Sequence, residues 1–195
     1  MNGRLVYVIG PSGAGKDCLL QYARTNLPVD AGIIFARRFI TRKPAAEGEQ
    51  HIPVSATAFE RILLQGGFAL HWQANGLRYG IGSEILAWMN CGLHVIVNGS
   101  RQYLPTALER FPDALVVCIT APVDTIRHRL NRRGRESDAD IDDRMQRTAS
   151  LTLPPDFDVL TIVNDSALQT AGETLLRVLL KLQIPVSTIS PATKL

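Results

Sequence analysis

Leu5-Val6-Tyr7-Val8-Ile9, followed by Gly10-Pro11-Ser12-Gly13-Ala14-Gly15-Lys16-Asp17, is the stretch that decides how this chain is read. It opens into Cys18-Leu19-Leu20-Gln21-Tyr22-Ala23, which reads as a helix. Strand, glycine-rich turn and helix form the context in which G-x-x-x-x-G-K-[ST] carries chemical meaning. Glycines let successive backbone N–H groups turn inward around phosphate oxygens, at a helix N-terminus that already favours negative charge. Lys16 then reaches the outer phosphates as a point charge. Asp17 departs from the pattern, standing where a Ser or Thr hydroxyl normally meets Mg²⁺. A carboxylate is also a hard oxygen ligand, so Asp17 is the candidate metal residue, directly or through water. The competing reading makes it a first-turn carboxylate that favours the helix dipole.

The chain of 195 residues, 46% hydrophobic and 20% charged, is expected to fold as one domain with a substantial core. No apolar run is long enough to span a bilayer, and the start of the sequence lacks signal-peptide design. Cys18, Cys91 and Cys118 are isolated, odd in number and set in apolar segments. They are expected to be buried free thiols in a reducing compartment, which makes the cytoplasm the expected location. The net charge of +3 is mild, but Arg37, Arg38, Arg42 and Lys43 cluster early, and Arg127, Arg129, Arg132, Arg133 and Arg135 cluster late. Beside a phosphate loop, such arginines suit small polyanions better than nucleic acid, because guanidinium matches phosphate geometry. Membrane partners are not expected, and a homodimer is compatible with the sequence.

Going along the chain, strands are expected at Ile33–Ala36, Phe68–Trp72, Leu93–Val97, Ala114–Ile119 and Asp158–Val163, and helices at about 56–65, 83–91, 122–132, 137–150 and 167–180. Lys43 to Pro53 reads as loop, and the tail from Pro185 as loosely held. Strand and helix alternate, with polar residues at strand ends, so the expected fold class is α/β with a parallel sheet. The region of about 35–80 breaks that rhythm and reads as an inserted acceptor-binding subdomain.

Six segments in order resemble the guanylate-kinase-like P-loop kinases over nearly the whole chain. They are the loop itself, Thr41-Arg42-Lys43-Pro44 (a T-R-x-P phosphate motif), Tyr79-Gly80, Ile119-Thr120-Ala121-Pro122, the run Arg129, Arg133, Gly134 and Arg144, and Val163-Asn164-Asp165. The resemblance implies a three-layer kinase domain over 1–184, a lid at about 133–150, ATP as phosphoryl donor and Mg²⁺. It implies nucleotide binding by Gly10, Pro11, Ser12, Gly13, Ala14, Gly15, Lys16, Asp17, Arg129 and Asn164. Catalysis falls to Lys16 with the lid cations Arg133 and Arg144, and Arg135 and Arg147 are further lid candidates. Acceptor phosphate falls to Arg42 and Tyr79, with Arg38 and Arg78 nearby. The competing readings are plain: lid arginines paired with Asp140, Asp142 or Asp143, Tyr79 as core filler, and Asn164 as a helix cap.

Guanine-reading groups are missing. Guanylate kinases place a Glu after the apolar strand, a Ser or Thr two residues past the second Tyr, and a D-x-D strand end. The matching positions are read as His71, Ile81 and Val97-Asn98-Gly99. A site that discriminates by hydrogen bonds cannot read a base it does not bond. The pattern, with Asp after the loop lysine and Val97-Asn98-Gly99-Ser100-Arg101, resembles the ribose 1,5-bisphosphate phosphokinases of phosphonate breakdown, implying a small phosphorylated sugar as acceptor. The residues alone reach a small phosphorylated, non-purine acceptor. Alternatives left open are a relaxed guanylate kinase, a non-catalytic binding module and a sugar-hydroxyl kinase.

Overall fold

The computed structural model describes residues 2–43, 51–133 and 157–183, and the side chains of all of these except 133 and 183. In chain order the elements are β1 (Leu5–Ile9), α1 (Lys16–Asn26), β2 (Ile33–Phe35), β3 (Arg38–Ile40), β4 (Ile52–Pro53), α2 (Ala56–Leu64), β5 (Phe68–Ala74) and β6 (Leu77–Gly82). There follow α3 (Glu84–Asn90), β7 (His94–Asn98), α4 (Leu104–Arg110), β8 (Leu115–Thr120), α5 (Val123–Arg133), β9 (Val159–Val163), α6 (Leu168–Leu180) and a 3₁₀ turn (Lys181–Gln183).

Five strands form a wholly parallel sheet in the order β2-β7-β1-β8-β9. The central strand β1 is buried throughout, and its period-two alternation sorts the core into two layers. Val6 and Val8 pack with Leu19 and Ala23 of α1 and with Ala171, Leu175 and Leu179 of α6. Leu5, Tyr7 and Ile9 pack the other way, onto Ile85, Met89, Leu104 and Ala107 of α3 and α4 and onto Leu70, Trp72 and Ile81 of the second sheet. An all-parallel sheet covered on both faces is what continuous apolar strands predict.

The second sheet, ordered β4-β3-β6-β5, is built from the region that breaks the strand–helix alternation. Asn75 and Gly76, both at positive φ, make the tight turn between β5 and β6. Ser55 caps α2 by accepting from the Ala58 amide at 3.1 Å.

The expected elements agree with these to within a few residues, with two exceptions. β3 lies where arginines were read as hanging from the end of β2; three residues gain strand form by pairing antiparallel with β6. β4 is a two-residue strand inside the stretch read as loop. The thiol expectation also needs correction, since only Cys118 is buried and Cys18 and Cys91 are exposed. The helix expected at 137–150, the lid and the tail from 185 lie outside the described residues.

Candidate active site

The phosphate loop leaves the C-terminal end of β1, where α/β sheets place their ligands. Gly10 must be glycine because a Cβ there would stand 2.0 Å from the Ile119 carbonyl oxygen. Gly15 caps α1 at φ 90°, and a Cβ on it would lie 2.3 Å from Asn164 Nδ2. That crowding reports how tightly the loop is seated. Asn164 Nδ2 donates to the Ala14 carbonyl at 2.8 Å, and Arg129 Nη1 to the same oxygen at 3.4 Å. Both predicted nucleotide residues thus hold the loop from behind. Asn164 is 2% exposed, and its Oδ1 has no partner among the described residues.

Lys16 Nζ donates to the carbonyls of Gly10 at 2.7 Å and Pro11 at 3.2 Å, folding across the mouth of its own loop. Burial lowers its pKa to about 8; the adjacent Asp17 opposes this, while the positive charges of Arg38 and Arg101 add to it. Arg38 and Arg101 therefore share an electrostatic neighbourhood with Lys16, although they come from the second sheet and from the segment after β7. An anion arriving here meets at least three cations and relieves their mutual repulsion. Burial likewise lowers the pKa of Arg101 and raises that of Cys118. Tyr7, whose phenol is pushed up by burial, accepts from the Ser100 amide at 3.0 Å and fixes the chain that carries Arg101.

Strand register decides what the acceptor residues can do. Arg38 pairs with Ile81, Ile40 with Tyr79, Leu70 with Ile81, and Trp72 with Tyr79. Directly opposed residues share a face, so Arg38, Leu70, Trp72, Tyr79 and Ile81 line one side. Here Trp72 and Tyr79 stack at 5.5 Å and 3°, Tyr103 stacks on Trp72 at 5.7 Å, and the Arg38 guanidinium lies 5.4 Å from the Tyr79 ring centre. His71 opposes Gly80 and Gln73 opposes Arg78, on the other side. Arg78 accordingly bonds Glu60 and covers the Phe59 ring of α2 at 5.8 Å, so it is not brought together with Arg38 and Tyr79. Arg42 is exposed just past β3. Thr41 anchors that point, donating its amide to the Arg78 carbonyl at 3.1 Å and accepting from the Arg78 amide at 2.9 Å.

This register corrects the placement of the absent base-reading groups. Two side chains that read one base edge must share a face, and His71 and Ile81 do not. The residue opposite Ile81 is Leu70, and both are fully buried. Where the resemblance puts two polar contacts, the chain has two apolar side chains with nothing to offer a purine.

Sequence reading overlooked Arg101 and Asn98 as individual residues. Asn98, last in β7 and buried, donates from Nδ2 to Asp17 Oδ1 at 2.7 Å. Both lie in a stretch already noted, and an uncompensated amide at the end of a buried strand was the available signal. The main chain of Arg133 ends α5; its side chain, and all of Arg135, Arg144 and Arg147, lie outside the described residues.

A parallel sheet, a glycine-rich loop closed by a lysine and a helix on the loop's far side define a P-loop kinase fold. The crystal structure of guanylate kinase from Anaplasma phagocytophilum superposes with a TM-score of 0.66, covering 95% of this chain and 88% of that one, at 17% identity. The family described as "Guanylate kinase" matches residues 2–182. The ribose 1,5-bisphosphate phosphokinase PhnN of Thiobacillus denitrificans is 44% identical over 177 residues, 91% of this chain and 93% of that protein. That of Chromobacterium violaceum is 48% identical over 175 residues, 90% and 92% of the two chains. The chain belongs to the guanylate kinase family and, within it, to the ribose 1,5-bisphosphate phosphokinases; it is a phosphotransferase.

Proposed function

We propose that the protein transfers the γ-phosphoryl group of ATP to the 1-phosphate of ribose 1,5-bisphosphate, forming 5-phospho-α-D-ribose 1-diphosphate and ADP, in the cytoplasm, as part of phosphonate breakdown. The observation that carries the reading is the apolar Leu70–Ile81 pair beside Arg38 and Tyr79. Arg38 and Tyr79 offer cation and aromatic surface to a phosphorylated sugar, and the buried pair beside them offers no polar edge to a base. Relatives at 44% and 48% identity that bear this activity in their names support the same acceptor.

The attacking group is then a phosphate oxygen, already anionic near neutral pH, so no general base is needed. Catalysis reduces to aligning two polyanions and neutralising charge on the transferred group. Lys16 binds the β- and γ-phosphates, the loop amides of Gly10 to Gly15 orient them, and Arg129 and Asn164 keep that loop in place. Arg38, Arg42 and Tyr79 receive the acceptor phosphates, and Arg133 and Arg144 are assigned to the moving phosphoryl. Arg78, committed to Glu60 on the other face of β6, is left out of the acceptor contacts. A bond forms between the acceptor oxygen and Pγ, the bond from Pγ to the ADP oxygen breaks, and charge passes to ADP.

Mg²⁺, when bound, would supply further charge neutralisation on the donor. The donors suit it, since Asp17 offers a hard carboxylate beside the Asn98 amide oxygen, which has no partner among the described residues. Among the described residues no three His, Cys, Asp or Glu side chains converge, and Asp17 is the residue that would hold the ion.

Phosphorus NMR of the products formed from ATP with ribose 1,5-bisphosphate, GMP or gluconate tests the proposal. A new diphosphate signal with the first alone is expected. Turnover of GMP at a comparable rate overturns it, gluconate phosphorylation points to a hydroxyl kinase, and no turnover at all points to a binding module.

A further inference from the structure

Asp17 and Asn98 come from different elements and meet because β1 and β7 run parallel in adjacent register, Val8 opposite Asn98. The end of β7 therefore lies beside the start of α1. Asn98 is 8% exposed and Asp17 exposed, so the amide is a fixed wall and the carboxylate the group facing solvent. A strand end that merely filled space would carry an apolar residue, as the preceding Val95, Ile96 and Val97 do. Instead Asn98 spends its N–H on Asp17 and leaves its own Oδ1 buried with no partner among the described residues. Native proteins seldom keep such an atom without cause.

The loop pattern puts a neutral hydroxyl after the lysine, and the family resemblance puts carboxylates at this strand end. Here the carboxylate stands on the loop and the strand end offers it a neutral amide, so the Asp17–Asn98 junction carries one negative charge.

We propose that Asn98 is the positioning residue of the Mg²⁺ seat, holding the Asp17 carboxylate in the orientation that binds the ion, and that the loop and strand positions work as an exchangeable acid–amide pair. The proposal rests on the phosphotransfer reading above but not on which acceptor is used. A ligand held from behind by a hydrogen bond loses orientation, and hence metal affinity, when that bond is removed.

Mn²⁺, whose free and bound forms electron paramagnetic resonance separates, is the probe, titrated into the protein saturated with a non-hydrolysable ATP analogue and with no acceptor present. Asn98→Ala is expected to weaken Mn²⁺ binding about 10–100-fold while affinity for the metal-free analogue is unchanged. The double variant Asp17→Asn with Asn98→Asp rebuilds the pair in reverse and is expected to recover Mn²⁺ affinity to within a few-fold of the parent. It also preserves volume and the hydrogen bond, so it stands as the test even if the alanine variant fails to fold. Parent-like Mn²⁺ affinity in Asn98→Ala, or a double variant no better than Asp17→Asn alone, overturns the proposal. A parent that binds no Mn²⁺–analogue complex would instead defeat the phosphotransfer reading itself.

Discussion

Lys16 shows how burial and function meet in one side chain. Its amine is held at a pKa of about 8, first by burial and then by the nearby arginines. Phosphates need the charged form, so affinity for metal-free ADP is expected to be flat below pH 8. Above it, affinity should fall by up to about tenfold per pH unit, until the pKa of the bound state is reached. Calorimetric titration from pH 7 to about 9.5 checks this, and Lys16→Met should remove the step along with most of the affinity. The stability linkage has its own sign. Between about 8 and 10.5 the unfolded chain holds the proton that the folded one releases, so this residue's contribution makes the unliganded fold more stable as pH rises through that window. Arg144 offers a second contrast. If Arg144 meets the transferred phosphoryl as proposed, its change to Ala is expected to lower kcat by about 10³-fold or more, whereas Arg110→Ala, an exposed residue at the end of α4, should leave steady-state rates unchanged.

Elements place these residues through close approach. α6 crosses α1 at Gly172, where a Cβ would stand 2.4 Å from the Tyr22 ring. Overpacking of that kind typically costs about 1–3 kcal/mol, against which the better helix propensity of alanine returns about 1 kcal/mol. Gly172→Ala is thus expected to lower the urea midpoint modestly. Because α1 carries Lys16 and Asp17 at its start, KM for ATP should rise in the same variant; an unchanged midpoint would mean that the helices part freely. The second sheet works by parity. Moving one residue along β5 or β6 exchanges the face packed toward the first sheet, with Arg38, Tyr79 and Ile81, for the α2 face, with Phe59 and Glu60. That is why Arg78 and Tyr79, neighbours in sequence, serve different surroundings.

Across the whole molecule the arrangement is electrostatic. Arginines from the second sheet and from the chain after β7 converge on a lysine at the end of β1, although net charge is only +3. Clustered cations steer anionic ligands over distances that salt screens. KM for both substrates is therefore expected to rise with potassium chloride between about 0.05 and 0.5 M, where the screening length shortens several-fold, with kcat much less affected. A flat KM over that range would remove long-range attraction from the account.

By itself the sequence determined the parallel sheet, the phosphate loop and the order of the elements, because these are local. A continuous apolar strand, a glycine that must take positive φ and a helical period are each written within a few neighbouring residues. It also carried the arginines and Tyr79 as candidates, and the loss of the guanine-reading groups. Tertiary structure alone decided which candidates meet. β3 exists because β4 and β6 lie on either side of it; strand register turns Arg78 toward Glu60 and brings Leu70, not His71, opposite Ile81; and Asn98 finds Asp17 from 81 residues away. Such partners are chosen by pairing and burial between distant segments, and no local pattern records the phase in which two strands come together.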